Sequence, residues 1–176
     1  HVALRRGDYA AAESAFAAAA NADPDFGPAD VWLGQVRAWL SDVDAEQWAN
    51  DVTRGLQARS GLSDKDHLVA LALSNLAQKQ FPQACGNYSQ MVAADSSDFV
   101  GLFGLGQCRA LDSLVVPSAS SPSRWEFRSR YADAASAYMR AVSVNPAAHP
   151  IIPFDQIQQL LPISSTQVRR GKSASG

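Results

Sequence analysis

The chain has 176 residues, 47% of them hydrophobic and 18% charged, and a formal net charge of −2. It is too apolar for disorder and long enough to bury a core, and its charge balance argues against nucleic acid or an anionic membrane as the main partner, since both need a concentrated basic face. No uncharged apolar run reaches the ~20 residues that span a bilayer, and two cysteines, Cys85 and Cys108, are too few for a disulfide-built scaffold.

Thirty-one alanines and only short β-branched runs favour helix. The chain opens on His1 rather than methionine and enters a helix-like stretch almost at once, so the expectation is a start inside a larger or processed polypeptide. Asp8 and Glu13 interrupt the apolar stretch from Val2 to Ala22, which argues against a signal peptide.

Taken in order, the elements repeat. A first unit, 1–26, contains Gly7-Asp8-Tyr9, then Ala12, Phe16 and Ala19, and closes on Asp23-Pro24. The second, 27–62, carries Trp32-Leu33-Gly34 in its first helix, with an acid at Asp30 and an open register for Ala45, Trp48, Ala49 and Val52 in its second. The third, 63–97, starts on Ser63 with Asp64 and Asp66 in the first turn, a capping-box-like opening. It continues through Leu68 and Leu71-Ala72, then Phe81, Ala84, Tyr88 and Met91. The third closes on Asp95-Ser96; the fourth, 98–146, is preceded by the start signal Ser96-Ser97-Asp98, holds Leu102 and Leu105-Gly106, and after an insertion at 113–128 shows Tyr131, Ala134, Tyr138 and Ala141 before Asn145-Pro146. Phe154, Ile157, Leu160 and Leu161 have helical spacing between two prolines, predicting a short cap over 153–162, and a mobile tail is expected over 163–176.

The shared interval places a small residue and an aromatic on one helical stripe, and the closing proline forbids continuation. Leu71 to Leu105 is 34 residues. A 34-residue helix-turn-helix unit with leucine-glycine in the first helix, alanine then aromatic in the second, and a closing proline resembles the tetratricopeptide repeat, covering about three and a half units over 1–146. The resemblance implies an all-α fold, a right-handed solenoid of antiparallel helix pairs. Asp30 departs from the family's pattern, which usually has a large apolar residue there.

Chemistry is sparse. His67, beside Asp64 and Asp66, reads as ordinary helix-start composition rather than a metal ligand, because adjacent helical residues face different ways. Gly101, Gly104 and Gly106 lack the spacing and preceding strand of a dinucleotide loop, and packing explains them better. Cys85 and Cys108 fall in consecutive helices. Buried thiols are the common case there, and geometry rather than spacing decides a disulfide. No nucleophile-base-acid set is visible, so the chain is read as a non-enzyme without cofactor or metal.

Two surfaces are candidates for binding. The resemblance implies a concave face lined by the first helix of each unit, here Val31, Gln35 and Trp39, then Val69, Leu73 and Leu76, then Phe103 and Gln107. Family members that grip a charged C-terminus use lysine, arginine and asparagine at such positions, so a carboxylate-clamp co-chaperone is not expected. An apolar or helical partner segment suits this face, unless the chain itself covers it. The second surface is the insertion, with Arg124, Trp125, Phe127 and Arg128, a composition typical of interface anchors and able to hold an acidic group. The favoured reading has Trp125 and Phe127 folding back onto the helices; an exposed tryptophan ring would reverse it. The expected function is a scaffold or accessory subunit that holds another protein, or a segment of its own parent chain. The insertion also resembles repeat regions attached to bacterial serine/threonine kinases, although no kinase motif is present. A small apolar ligand or lipid in the same groove is the alternative.

Overall fold

The computed structural model describes residues 2–40, 45–59 and 61–151. It is mostly helical: α1 (Val2–Arg5), α2 (Tyr9–Ala22), α3 (Gly27–Trp39), α4 (Ala45–Gln57), α5 (Asp64–Ala77), α6 (Phe81–Ala94), α7 (Phe99–Leu111) and α8 (Tyr131–Val144), with a 3-10 turn at Pro146–Ile151. Two short strands, β1 (Val115–Pro117) and β2 (Trp125–Phe127), interrupt the last helix pair. The expected cap and tail lie outside the described residues.

Local chemistry explains the boundaries. The carboxylates of Asp8 and Asp98 accept from the amides of Ala11 and Gly101, and the Ser63 hydroxyl accepts from Asp66, so each helix start satisfies an otherwise orphaned N–H. In the fourth unit the cap is Asp98 itself, not the serines before it. Pro28 and Pro82 occupy first-turn positions where their missing N–H costs nothing.

Successive helices run antiparallel. Tyr9 meets Trp39 while Phe16 meets Trp32, which reverses α3 against α2. Gly27 lies against Gly55 and Gly34 against Val52, reversing α4 on α3. Cys85 is bonded to Cys108 while Gly101 packs on Met91, reversing α7 on α6. The disulfide spans Cα atoms 5.7 Å apart, a separation that sequence spacing left open. Helices that are not neighbours in the chain also touch: α3 packs on α5, and the Trp32 indole N–H donates to Asp66 at 2.8 Å, a separation of 34 positions.

The tightest packing is glycine on ring. Tyr88 is wholly buried, and its ring lies so close to Gly104 that a Cβ there has no room; a Cβ on Gly106 would stand 2.7 Å from the Tyr138 ring. With the phenols sealed in, burial pushes the Tyr9 hydroxyl up to about 12 and raises Tyr88 and Tyr138 as well.

Asp30 is buried, and its departure from the apolar pattern has an electrostatic cause. It accepts from Arg54 Nε at 3.1 Å and Nη2 at 2.8 Å, while buried Asp51 accepts from Arg54 at 2.6 Å and from Arg37 at 2.8 Å. Arg37 also donates to Glu13 at 2.8 Å, so one network ties α2, α3 and α4. Two arginines shared among three carboxylates keep the buried charges compensated.

Two outcomes test this packing. Gly104→Ala should destabilise by about 2 kcal/mol or more despite alanine's better helix propensity, because the ring cannot retreat. Gly86→Ala, with nothing within 4 Å of its would-be Cβ, should be neutral or gain about 0.5–1 kcal/mol. Urea midpoints compare them, and equal effects would refute the socket. Reducing the 23-residue-separated disulfide should lower the same stability by about 3 kcal/mol, and an unchanged midpoint in reductant would exclude a constraining bond.

Candidate functional site

The residues expected to line a concave face do not form an open surface. Val31, Gln35, Trp39, Val69, Leu73, Leu76 and Phe103 are buried, and Gln107 is half-buried. The reason is tertiary. Trp39 sits edge-on to Tyr9, Phe99 and Phe103 at centroid distances of 5.6–5.8 Å, and Phe103 in turn meets Tyr138. At the same time the Ala147 carbonyl presses onto Gly7, whose φ of +73° and absent side chain admit it, so the two ends of the described chain meet. The chain covers its own inner face. A cleft of about 450 Å³ remains at the starts of α5 and α7, bordered by Leu4, Trp32 and Phe99, with a Lys65–Asp98 ion pair on its polar side.

The insertion is the surface left open. Val115-Val116-Pro117 and Trp125-Glu126-Phe127 are strand-favouring triplets around a serine-rich connection, and they pair as an antiparallel hairpin with Val115 opposite Phe127 and Pro117 opposite Trp125. Bonds from Ser118 N to Arg124 O (2.9 Å) and Arg128 N to Leu114 O (2.8 Å) set the alternation. They make Val116–Glu126 a hydrogen-bonded pair, and leave the N–H and C=O of Trp125 and Phe127 directed outward, those of Trp125 onto the Ser123 hydroxyl. Pro117 therefore costs the ladder no bond. The same alternation puts Val115, Pro117, Trp125 and Phe127 on one face. Trp125 is 56% exposed and Phe127 47%, so the aromatic pair does not fold back onto the helices as favoured from sequence. Each strand has three residues, and the Phe127 ring meets that of Tyr131 at the start of α8, at 5.6 Å.

Arg128 holds this ribbon in place. Its guanidinium forks onto Asp112 with two 2.7 Å bonds, and the Ser129 hydroxyl adds a third at 3.1 Å. Asp112 is the buried C-cap of α7, and the Arg128 bonds hold its carboxyl below the usual value. Arg128 is thus an anchor rather than a free contact residue. Arg124, at φ +61° in the turn, is exposed.

Beside the hairpin lies a cavity of about 610 Å³, walled by Arg109 of α7, by Glu126, Phe127 and Arg128, and by Arg130, Tyr131 and Asp133 at the start of α8. Arg130 pairs with Asp133 at 3.1 Å; Arg109 donates to the Asp133 backbone carbonyl at 3.3 Å. Sequence reasoning missed Arg109, Tyr131, Val115 and Pro117. The period-two pattern of the two triplets was a signal for the strand pair, but nothing local relates Arg109 to a segment 17 or more residues later. Among the described residues no group of three or more histidine, cysteine or acidic side chains converges as a metal site would, and His67 is exposed on α5. No helix there is long and apolar enough to cross a membrane.

No family model matches the chain, and neither a curated protein nor a solved structure is significantly similar to it.

The anchor has a pH signature. A carboxyl held below its ordinary 3.8 keeps its partner ionically bound above that value and loses it only as the pH falls further. Amide protection of Val116 and Glu126 should therefore persist at pH 5 and drop at least tenfold well below pH 3.8, while Asp112→Asn drops it at pH 7 with the α5–α6 amides unchanged. Full hairpin protection in Asp112→Asn would show that Arg128 does not anchor it.

Proposed function

We propose that this chain is a non-catalytic interaction module of the tetratricopeptide-repeat kind, which presents its insertion hairpin to a segment of another protein. The repeat reading is supported by antiparallel neighbours, by the α3–α5 contact, and by Trp32–Asp66 and Lys65–Asp98 links at separations of 34 and 33. A right-handed superhelix belongs to the same reading. Attachment to a larger signalling protein, kinase-bearing or otherwise, fits it equally.

The observation that carries the binding proposal is the exposed apolar face of Val115, Pro117, Trp125 and Phe127. An apolar cross-strand face costs solubility if left wet, and aromatic residues on a rigidly held element are what interfaces use as anchors. Rigidity comes from the Arg128–Asp112 fork, which fixes the ribbon without consuming its apolar face. Docking then loses little conformational entropy at the anchor. The partner is a protein segment rather than a lipid bilayer or nucleic acid, because the face is small and flanked by both signs of charge.

A benzophenone amino acid at Val115, with Trp125 intact, should form a discrete adduct in an extract of the source cells. Trp125→Ala should reduce that adduct at least fivefold, and the same probe at exposed Ala15 should give none. Equal adducts from both positions, or an adduct indifferent to Trp125→Ala, would overturn the hairpin as the docking surface.

A further inference from the structure

The cavity beside β2 says more about the partner than the apolar face alone, if the hairpin docks a protein segment as proposed above. We infer that the hairpin and this cavity take an extended peptide whose apolar residue sits next to a single aspartate or glutamate, its carboxylate meeting Arg109.

The charge observation comes first. Residues 109–140 hold five arginines and three acids, although the whole chain is net −2. Among the described residues the other partly buried guanidinium, Arg37, is held by two carboxylates, and Arg128 and Arg130 each have one. Arg109 is also partly buried, yet it donates to a backbone carbonyl, and among the described residues no carboxylate stands within ion-pair distance of it. A guanidinium carries five N–H donors in a planar fork that fits a carboxylate. Withdrawing it partly from water without a counter-ion is unfavourable, and an incoming carboxylate relieves that.

The second observation is geometric. Phe127 is in the cavity wall, and its backbone N–H and C=O point outward from the two-stranded ladder. The Ser123 hydroxyl holds the N–H and C=O of Trp125, so an extended chain laid along that edge hydrogen-bonds to β2 at Phe127, with alternate side chains directed to the face of Trp125 and Phe127. At about 610 Å³ the cavity has room for one or two such side chains. The charge of the wall selects the anion: with Arg128 compensated by Asp112 and Arg130 by Asp133, Arg109 is the cation left facing Glu126, a balance that suits a monoanionic carboxylate better than a phosphate dianion.

A display library of random 12-residue peptides, selected on the intact chain, tests this directly. Recovered peptides should be enriched in an acid within two residues of an aromatic or branched apolar residue. Resynthesis with asparagine or glutamine in place of the acid should weaken binding to the unaltered protein at least tenfold, which needs no variant to fold. Arg109→Gln should erase the acid preference while leaving the apolar one, and Kd should rise with NaCl. Selected peptides without an acid, an amide replacement that binds as well, or recovery of no peptide would overturn the inference. Phosphopeptides spiked into the same selection should show no advantage over their aspartate counterparts, and a marked advantage would overturn the carboxylate assignment. A Trp125→Ala/Phe127→Ala double variant separates the two proposals. If it abolishes selection of acid-free peptides, the hairpin still docks and only the acidic partner is wrong; if it changes nothing, the docking surface itself is wrong.

Discussion

Close approach of helices at glycine is the constraint on which the structure depends. Gly104 and Gly106 offer bare backbone on α7, and the rings of Tyr88 and Tyr138 fill the space from either side. Helix α7 is thereby clasped between α6 and α8, and the Cys85–Cys108 bond closes the first of these contacts covalently. Dense packing of this type is not gradual: a single methyl in the wrong place has nowhere to go. Gly27, Gly34 and Gly55 do the same between α3 and α4.

That clasp has a consequence for binding. Large inward side chains fill the space between the helix pairs, and Trp39 bridges Tyr9 to Phe99 and Phe103. Contact of Gly7 with Ala147 completes the closure. A face that an extended array leaves free is here spent on the core. On the proposed reading recognition falls to an appendage, and an appendage of two three-residue strands needs an external fixing point, since an isolated hairpin is marginal in water. The Arg128–Asp112 fork supplies it, and through Asp112 the hairpin is coupled to the end of α7, the same helix that positions Arg109.

Legibility differed by region for physical reasons. The helices, their caps and their aromatic-on-small stripes are short-range features, so Ala84, Tyr88, Ala134 and Tyr138 could be placed inward from spacing alone, and all four are buried. Asp30 looked like a flaw in the pattern because its partner Arg54 lies 24 positions away on another helix. Trp125 and Phe127 were recognisable as anchors by composition, yet their exposure depended on whether the insertion collapsed or paired with itself. The residues named for a partner-binding inner face, two glutamines among them, are buried except for half-buried Gln107; whether they formed groove or core was a matter of how far the stack closes.

Periodicity, propensity and capping act within a few residues, and by themselves they determined the helical class, the order of the helices and the small-to-aromatic complementarity. What only the tertiary structure decided was everything set by the spacing between distant helices: the sealed inner face, the disulfide, the compensated acids and the placing of Arg109 beside an outward strand edge. Those depend on distances across 20 to 140 residues of chain, which no local pattern encodes because many stackings satisfy the same local rules.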